Sequence, residues 1–188
     1  MAESKQEFLT FEIGTEEYAV KILRVQEIRG WEKPSPLPSV PSFVKGVINL
    51  RGMVIPIIDL REKFNLKVVY DDTTVVIVVH VITSAGERIV GLVVDAVSDV
   101  HTFEMSKLQP PPDISSSLHN QFVLGLGTIE DQMGLGHSGQ QNRSDSEGSK
   151  SRSKMVILID LDKLVAEGLI EAITSTDPDK LNMPIGNG

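Results

Sequence analysis

Apolar and polar residues alternate over positions 8–13, where Leu9, Phe11 and Ile13 fall on one side and Thr10 and Glu12 on the other. Period-two alternation marks a half-buried strand. Gly14-Thr15-Glu16 then reads as a turn, with Tyr18-Ala19-Val20 as the returning strand. Over 22–28 the apolar positions Ile22, Val25 and Ile28 recur every third residue, which fits one or two helical turns or a twisted strand. Pro34, Pro36, Pro38 and Pro41 follow, and prolines so crowded predict a stiff, extended connector.

Two hairpins are predicted next. One joins 43–50 to 53–58 around Arg51-Gly52, where glycine supplies a positive φ, and Pro56 marks its second strand as an edge or a bulge. The other joins 73–82 to 87–94 around Ser84-Ala85-Gly86. Its first strand is apolar at nearly every position, so both of its faces should be covered. Between the hairpins, Asp59 and Glu62 have capping-box spacing for a short helix ending at Phe64. Strand character returns at 97–100, 122–129 and 155–159, where Gly125 and Gly127 are expected to bend a barrel strand. Asp160 or Asp162 then caps a last helix with Leu161, Leu164 and Val165 on one stripe. Many short strands with little helix point to small β-barrels.

Residues 133–154 break this pattern. They are rich in serine and glycine and hold no β-branched or aromatic residue, so they are expected to form a flexible loop insertion. Lengthening a hairpin loop to that extent costs roughly 2 kcal/mol, which a small barrel can carry. Residues 176–188 are expected to be a disordered tail.

Composition narrows the chemistry. The 188 residues suit one domain or two small subdomains sharing a core. With no cysteine, disulfides and thiolate chemistry are excluded, which agrees with a reducing cytoplasm. The first residues, MAESKQEF, do not resemble a signal peptide, and the longest apolar run is too short to span a bilayer. A net charge of −8 without a dense Lys/Arg run argues against nucleic acid. An oligonucleotide-binding barrel would need stacking aromatics beside a basic groove, and Trp31, Tyr18 and Tyr70 are scattered. The histidines at 80, 101, 119 and 137 lack metal-ligand spacing. Asp71-Asp72 and the Asp160/Asp162 pair are explained by turns and caps. Ser116 lacks a nucleophile-elbow context, and Gly125 opens no phosphate loop. No catalytic residue, cofactor or metal is expected.

Several runs resemble the CheW family of chemotaxis coupling proteins: EEYAVKILRVQEI (16–28), FVKGVINLRGMVIPIIDLREKF (43–64), TVVIVV (74–79), VGLVVDAVSDV (90–100), GLGTIED (125–131) and MVILIDLDKL (155–164). They occur in the family's order, with GVINLRG the most specific. The resemblance implies a mostly β fold of two five-stranded β-barrel subdomains over 7–175, with short helices. It implies a cytoplasmic, non-catalytic adaptor joining chemoreceptor tips to the regulatory domain of the histidine kinase CheA in membrane-associated arrays. An adaptor for a non-motility chemosensory system is the nearest alternative. The resemblance breaks only at 133–154, whose removal would restore a direct IEDQMVILIDLDKL run.

Receptor-binding candidates follow from position and resemblance together. Arg51 sits at a predicted tight turn, where a guanidinium can make forked hydrogen bonds to a partner; the competing reading is a solvated turn arginine. Ile22 and Val25 could offer apolar knobs to a receptor helix, with Glu27 at the rim; the competing reading makes the first two plain core. Asn49 is expected to shape the turn more than to touch a partner. Gly46 either allows close backbone approach or accommodates a bulge.

Overall fold

The computed structural model describes residues 4–111, 122–130 and 153–166. Among these, the strands are β1 (Lys5–Ile13), β2 (Glu16–Lys21), β3 (Val25–Gly30), β4 (Val44–Leu50), β5 (Met53–Asp59), β6 (Val75–Thr83), β7 (Gly86–Val94), β8 (Ala96–Glu104), β9 (Val123–Glu130) and β10 (Ser153–Ile159). Two short helices, α1 (Leu60–Lys63) and α2 (Leu161–Ala166), each follow a strand. The strands form two five-stranded sheets, ordered β8-β1-β2-β10-β9 (barrel A) and β3-β6-β7-β5-β4 (barrel B).

The two sheets share one plan. Each contains two antiparallel hairpins joined by a parallel pair, β2 with β10 and β5 with β7. Each is closed by the chain leaving one edge and bridging to the other edge. In barrel B, Ser35 exchanges backbone hydrogen bonds of 2.9 and 2.8 Å with Val47; in barrel A, Gln109 does the same with Leu126 at 3.0 and 2.8 Å. The Asp59 N–H donates to the Phe43 carbonyl and the Asp160 N–H to the Phe122 carbonyl, both at 2.7 Å. The stretches FVKGV (43–47) and FVLGL (122–126), and IIDL (57–60) and LIDL (158–161), occupy these matching places. The fold is therefore a doubled unit in which the first hairpin of the chain completes the last barrel.

Burial explains the strand sequences. Leu50, Ile55, Ile57, Val76, Val78 and Val93 fill barrel B, while Phe8, Ala19, Phe103, Val156 and Leu158 fill barrel A. A third and largest cluster, including Phe11, Ile58, Ile77, Leu92 and Leu164, lies between the sheets. β6 is apolar from Val75 to Val79 because Val76 and Val78 enter the barrel and Ile77 and Val79, with Val81 beyond His80, enter the shared core. β1 is likewise buried on both faces: Phe8 and Thr10 are as inaccessible as Leu9, Phe11 and Ile13, so its alternation is not an inside–outside one.

Several expectations need correction. β5 is not an edge strand, since β4 and β7 flank it. Pro56 is tolerated because pairing with β7 begins only at Ile57↔Gly91, and the bulge lies in β4 between Val44 and Gly46. Asp59 caps α1 through the Arg61 N–H at 3.0 Å, while Glu62 pairs with Lys45 rather than closing a capping box. Asp160, not Asp162, caps α2, accepting from the N–H groups of Asp162 and Lys163. Residues 22–28 divide into a 3-10 turn, Ile22–Arg24, and then β3. Gly125 borders an irregularity in β9, and both it and Gly127 also allow close approach, because a Cβ would crowd Leu108 at the first and overlap the Phe103 ring at the second. Ser153 and Lys154 belong to β10, with Ser153 paired to Glu130. The rest of the expected insertion and the tail at 176–188 lie outside the described residues.

Candidate functional site

β3 and β4 are the two edges of barrel B, so its closure brings residues distant in sequence side by side. The Ser35–Val47 bridge requires the connector to pass directly over β4. Gly46 makes this possible: its φ is +137°, and a Cβ there would overlap the Ser35 carbonyl oxygen. Both of the roles weighed for Gly46, close approach and bulge, are present at this one position.

The β4–β5 turn then reaches back toward β3. Arg51 (φ +53°) and Gly52 (φ +86°) both occupy the left-handed region, as a two-residue type I′ hairpin turn requires. Arginine is an unusual choice for the first position, because a Cβ in that region costs roughly 1–2 kcal/mol. Asn49 holds the turn from beneath, its Oδ1 accepting the Gly52 N–H at 2.8 Å. The Arg51 side chain is 79% exposed, and its Nη2 lies 2.8 Å from Glu27 Oε2. Glu27 is mostly covered, its other oxygen Oε1 is buried without a hydrogen-bond partner, and Arg29 Nη1 is 3.8 Å from that atom. Glu32 extends the cluster through Arg29 at 3.7 Å. Met53 and Val54, both exposed, flank the turn. The arrangement is a preformed acid–base surface, with the exposed Arg51 guanidinium outermost and an apolar shoulder beside it.

The structure does not hold Ile22, Val25 and Glu27 as one patch. β3 carries a bulge, so Val25 pairs with Val79 and Glu27 with the adjacent Val78. Cross-strand partners share a face, so the bulge turns Val25 and Glu27 to opposite faces. Val25 and Ile22 are half-buried against the shared core, while Glu27 joins Arg51 and Asn49. Arg29 and Glu32 belong to the site without having been singled out from the sequence, although charged residues at the alternating positions 27 and 29 carried the signal.

At the end of β5 away from the turn stands a buried polar cluster. Arg61 is 1% exposed and donates to Asp59 Oδ1 and Oδ2 at 3.0 Å, Asp95 Oδ1 at 2.9 Å and the Val69 carbonyl at 2.7 Å. Its burial opposes the charge, but the Asp59 and Asp95 hydrogen bonds and charges outweigh that and raise its pKa. The Tyr70 hydroxyl donates to Asp59 at 3.1 Å, and burial together with the Asp59 charge pushes its pKa up to about 12. Trp31 stacks on Tyr70 at 4.3 Å, tying the chain just after β3 to this cluster. Removing one partner of such a buried pair costs about 3–5 kcal/mol, so the cluster anchors this part of barrel B.

A cavity of about 310 Å³ opens on the shared core beside Tyr18, Phe64, Leu66 and Phe122. Tyr18 is raised above its usual pKa by burial and by Glu16. Among the described residues, no group of three or more His, Asp or Glu side chains could hold a metal ion. Nor, among them, is any helix long and apolar enough to cross a membrane.

Known proteins share this sequence pattern and this fold. The CheW-like domain profile matches residues 7–168. The chemotaxis protein CheW of Klebsiella aerogenes is 46% identical over 129 residues, covering 68% of this chain and 75% of that protein. CheW of Rhizobium meliloti is 42% identical over 128 residues, covering 68% and 81%. The crystal structure of the scaffolding protein CheW from Thermoanaerobacter tengcongensis superposes with a TM-score of 0.63 at 26% identity, covering 84% of this chain and 85% of that one.

Proposed function

The chain belongs to the CheW-like family, and on that premise we propose that it is a chemotaxis adaptor that works by binding alone, holding a chemoreceptor tip on barrel B and the regulatory domain of CheA elsewhere on the same body. The observation that carries the receptor assignment is the Arg51 turn. A strained, exposed arginine is paired with a covered glutamate, which leaves the rest of its guanidinium facing solvent. Backbone strain persists where the surroundings enforce it, and it concentrates at binding sites. Glu27, Arg51 and Asn49 form the polar centre of the receptor surface. Val25 and Ile22 act from behind it by fixing β3, and Gly46 acts by closing the barrel. No substrate is transformed. The protein operates in the cytoplasm and reaches the membrane only through the arrays it joins.

Equilibrium binding to a receptor cytoplasmic fragment tests this reading. Arg51→Glu places like charges beside Glu27 and should weaken binding at least about tenfold, the scale of a lost charged contact at an interface centre. The melting temperature should move by no more than about 2–4 °C, since exposed pairs contribute about 1 kcal/mol or less. Unchanged affinity would remove Arg51 from the receptor surface, and a collapsed melt would make its role structural.

A further inference from the structure

We propose that Arg24 and Asp162 are positioning residues for the receptor-binding strand, forming a clasp that pins the bulged entrance of β3 to the other barrel. The inference rests on the receptor reading above for its functional consequence, and on geometry alone for the clasp. Asp162, in the first turn of α2 after barrel A, accepts from Arg24 Nη1 at 3.1 Å and Nη2 at 2.9 Å. Its Oδ1 also accepts the Ile82 N–H at 2.7 Å, on the part of β6 that extends beyond β3. One carboxylate thus ties three segments together: α2, the residue before β3, and β6.

The need for such a tie lies in β3 itself. It is an edge strand with β6 as its neighbour in the sheet, it enters through a 3-10 turn with no side-chain cap, and its bulge directly follows Val25. A one-residue slip would turn Glu27 away from Arg51, because strand side chains alternate faces. The clasp sits at the end where that slip would start.

The doubled fold supplies an independent comparison. Arg61 holds the corresponding place in the first turn of α1, and it reaches Asp95 at the β7–β8 crossover, as Asp162 reaches Arg24 at the β2–β3 crossover. Asp95 Oδ2 accepts the Gly14 N–H at 2.7 Å in the β1–β2 turn, as Asp162 accepts that of Ile82 in the β6–β7 hairpin. The same joint is made twice with the charges exchanged. Asp95 is as open as Asp162, but Arg61 is buried and is also held by Asp59 and the Val69 carbonyl, whereas Arg24 is half-buried and held by Asp162, so the β3 side has the fewer ties of the two.

Charge exchange is the test. Arg24→Asp and Asp162→Arg, alone and together, are measured for affinity to a receptor cytoplasmic fragment, affinity to the CheA regulatory domain, and amide hydrogen exchange. Each single variant should lose about tenfold in receptor affinity, and the double variant should recover to within about threefold, as a coupled pair does. The double variant copies the Arg61–Asp95 polarity, with the carboxylate introduced at position 24 free to take the Ile82 N–H. Affinity for the kinase domain should stay within about twofold throughout, which loss of the folded state would not allow. Exchange at the β3 amides should rise in the single variants and fall again in the double. Unaltered β3 exchange, or a double variant no better than the singles, overturns the clasp. If the unaltered protein fails to bind receptor while β3 exchange responds as stated, the receptor reading falls and the clasp stands.

Discussion

On the proposed reading, Arg51 sets stability against binding. Its backbone φ of +53° suits asparagine or glycine better than any long side chain, and its 79% exposed guanidinium pairs with Glu27 where water screens the attraction. Arg51→Asn should therefore raise the melting temperature by about 1–3 °C, on a gain of roughly 0.5–1 kcal/mol, and lose receptor affinity at the same time. A melt lowered by the change would mean that the Glu27 pair outweighs the turn. Arg51, Asn49 and Glu27 were all legible as candidates in the sequence. That Glu27 and Arg51 touch was not, because their meeting depends on two edges of a sheet closing, which no local pattern records. Ile22 and Val25 show the opposite limit. Their spacing of three suggests a patch shared with Glu27, and a single inserted residue in the β3 ladder separates Val25 from Glu27.

At the level of elements, the hairpins were legible because glycine turns and β-branched runs are local signals. Closure was not, since it is made by one bridge from an unpaired connector at Ser35. Gly46 is where that closure can be broken. An alanine there needs an unfavourable φ and displaces the Ser35 backbone, so Gly46→Ala should cost about 3 kcal/mol and lower the melt by about 6–12 °C. Gly52 is the control: it also has a positive φ, but open space surrounds the position of a Cβ, and alanine there should cost only about 1 kcal/mol. Equal effects at the two sites would show that the bridge over β4 contributes nothing beyond backbone strain. The burial of both faces of β1 was hidden for a related reason. Thr10 reads as a solvent-facing residue, yet its Oγ1 donates to the Asp99 carbonyl at 2.9 Å across the bulged β1–β8 pair and is fully buried.

Across the whole molecule, the shared core makes the two barrels one body, with Ile77, Leu92 and Leu164 packed between sheets that each have their own interior. The doubling behind this arrangement escaped sequence reading because the matching stretches are short. The tight Arg51-Gly52 turn in one half also corresponds to residues 131–152 in the other, which obscures the period. A body of this kind gives two partners fixed relative positions, and that is the substance of the proposed adaptor role. The most direct measurement is CheA autophosphorylation in the presence of a receptor cytoplasmic fragment, with and without this protein. The account predicts that kinase activity rises only when all three are combined, and that Arg51→Glu abolishes most of the rise while leaving the CheA complex intact. Kinase activity indifferent to the protein, under conditions where it is folded, would contradict it.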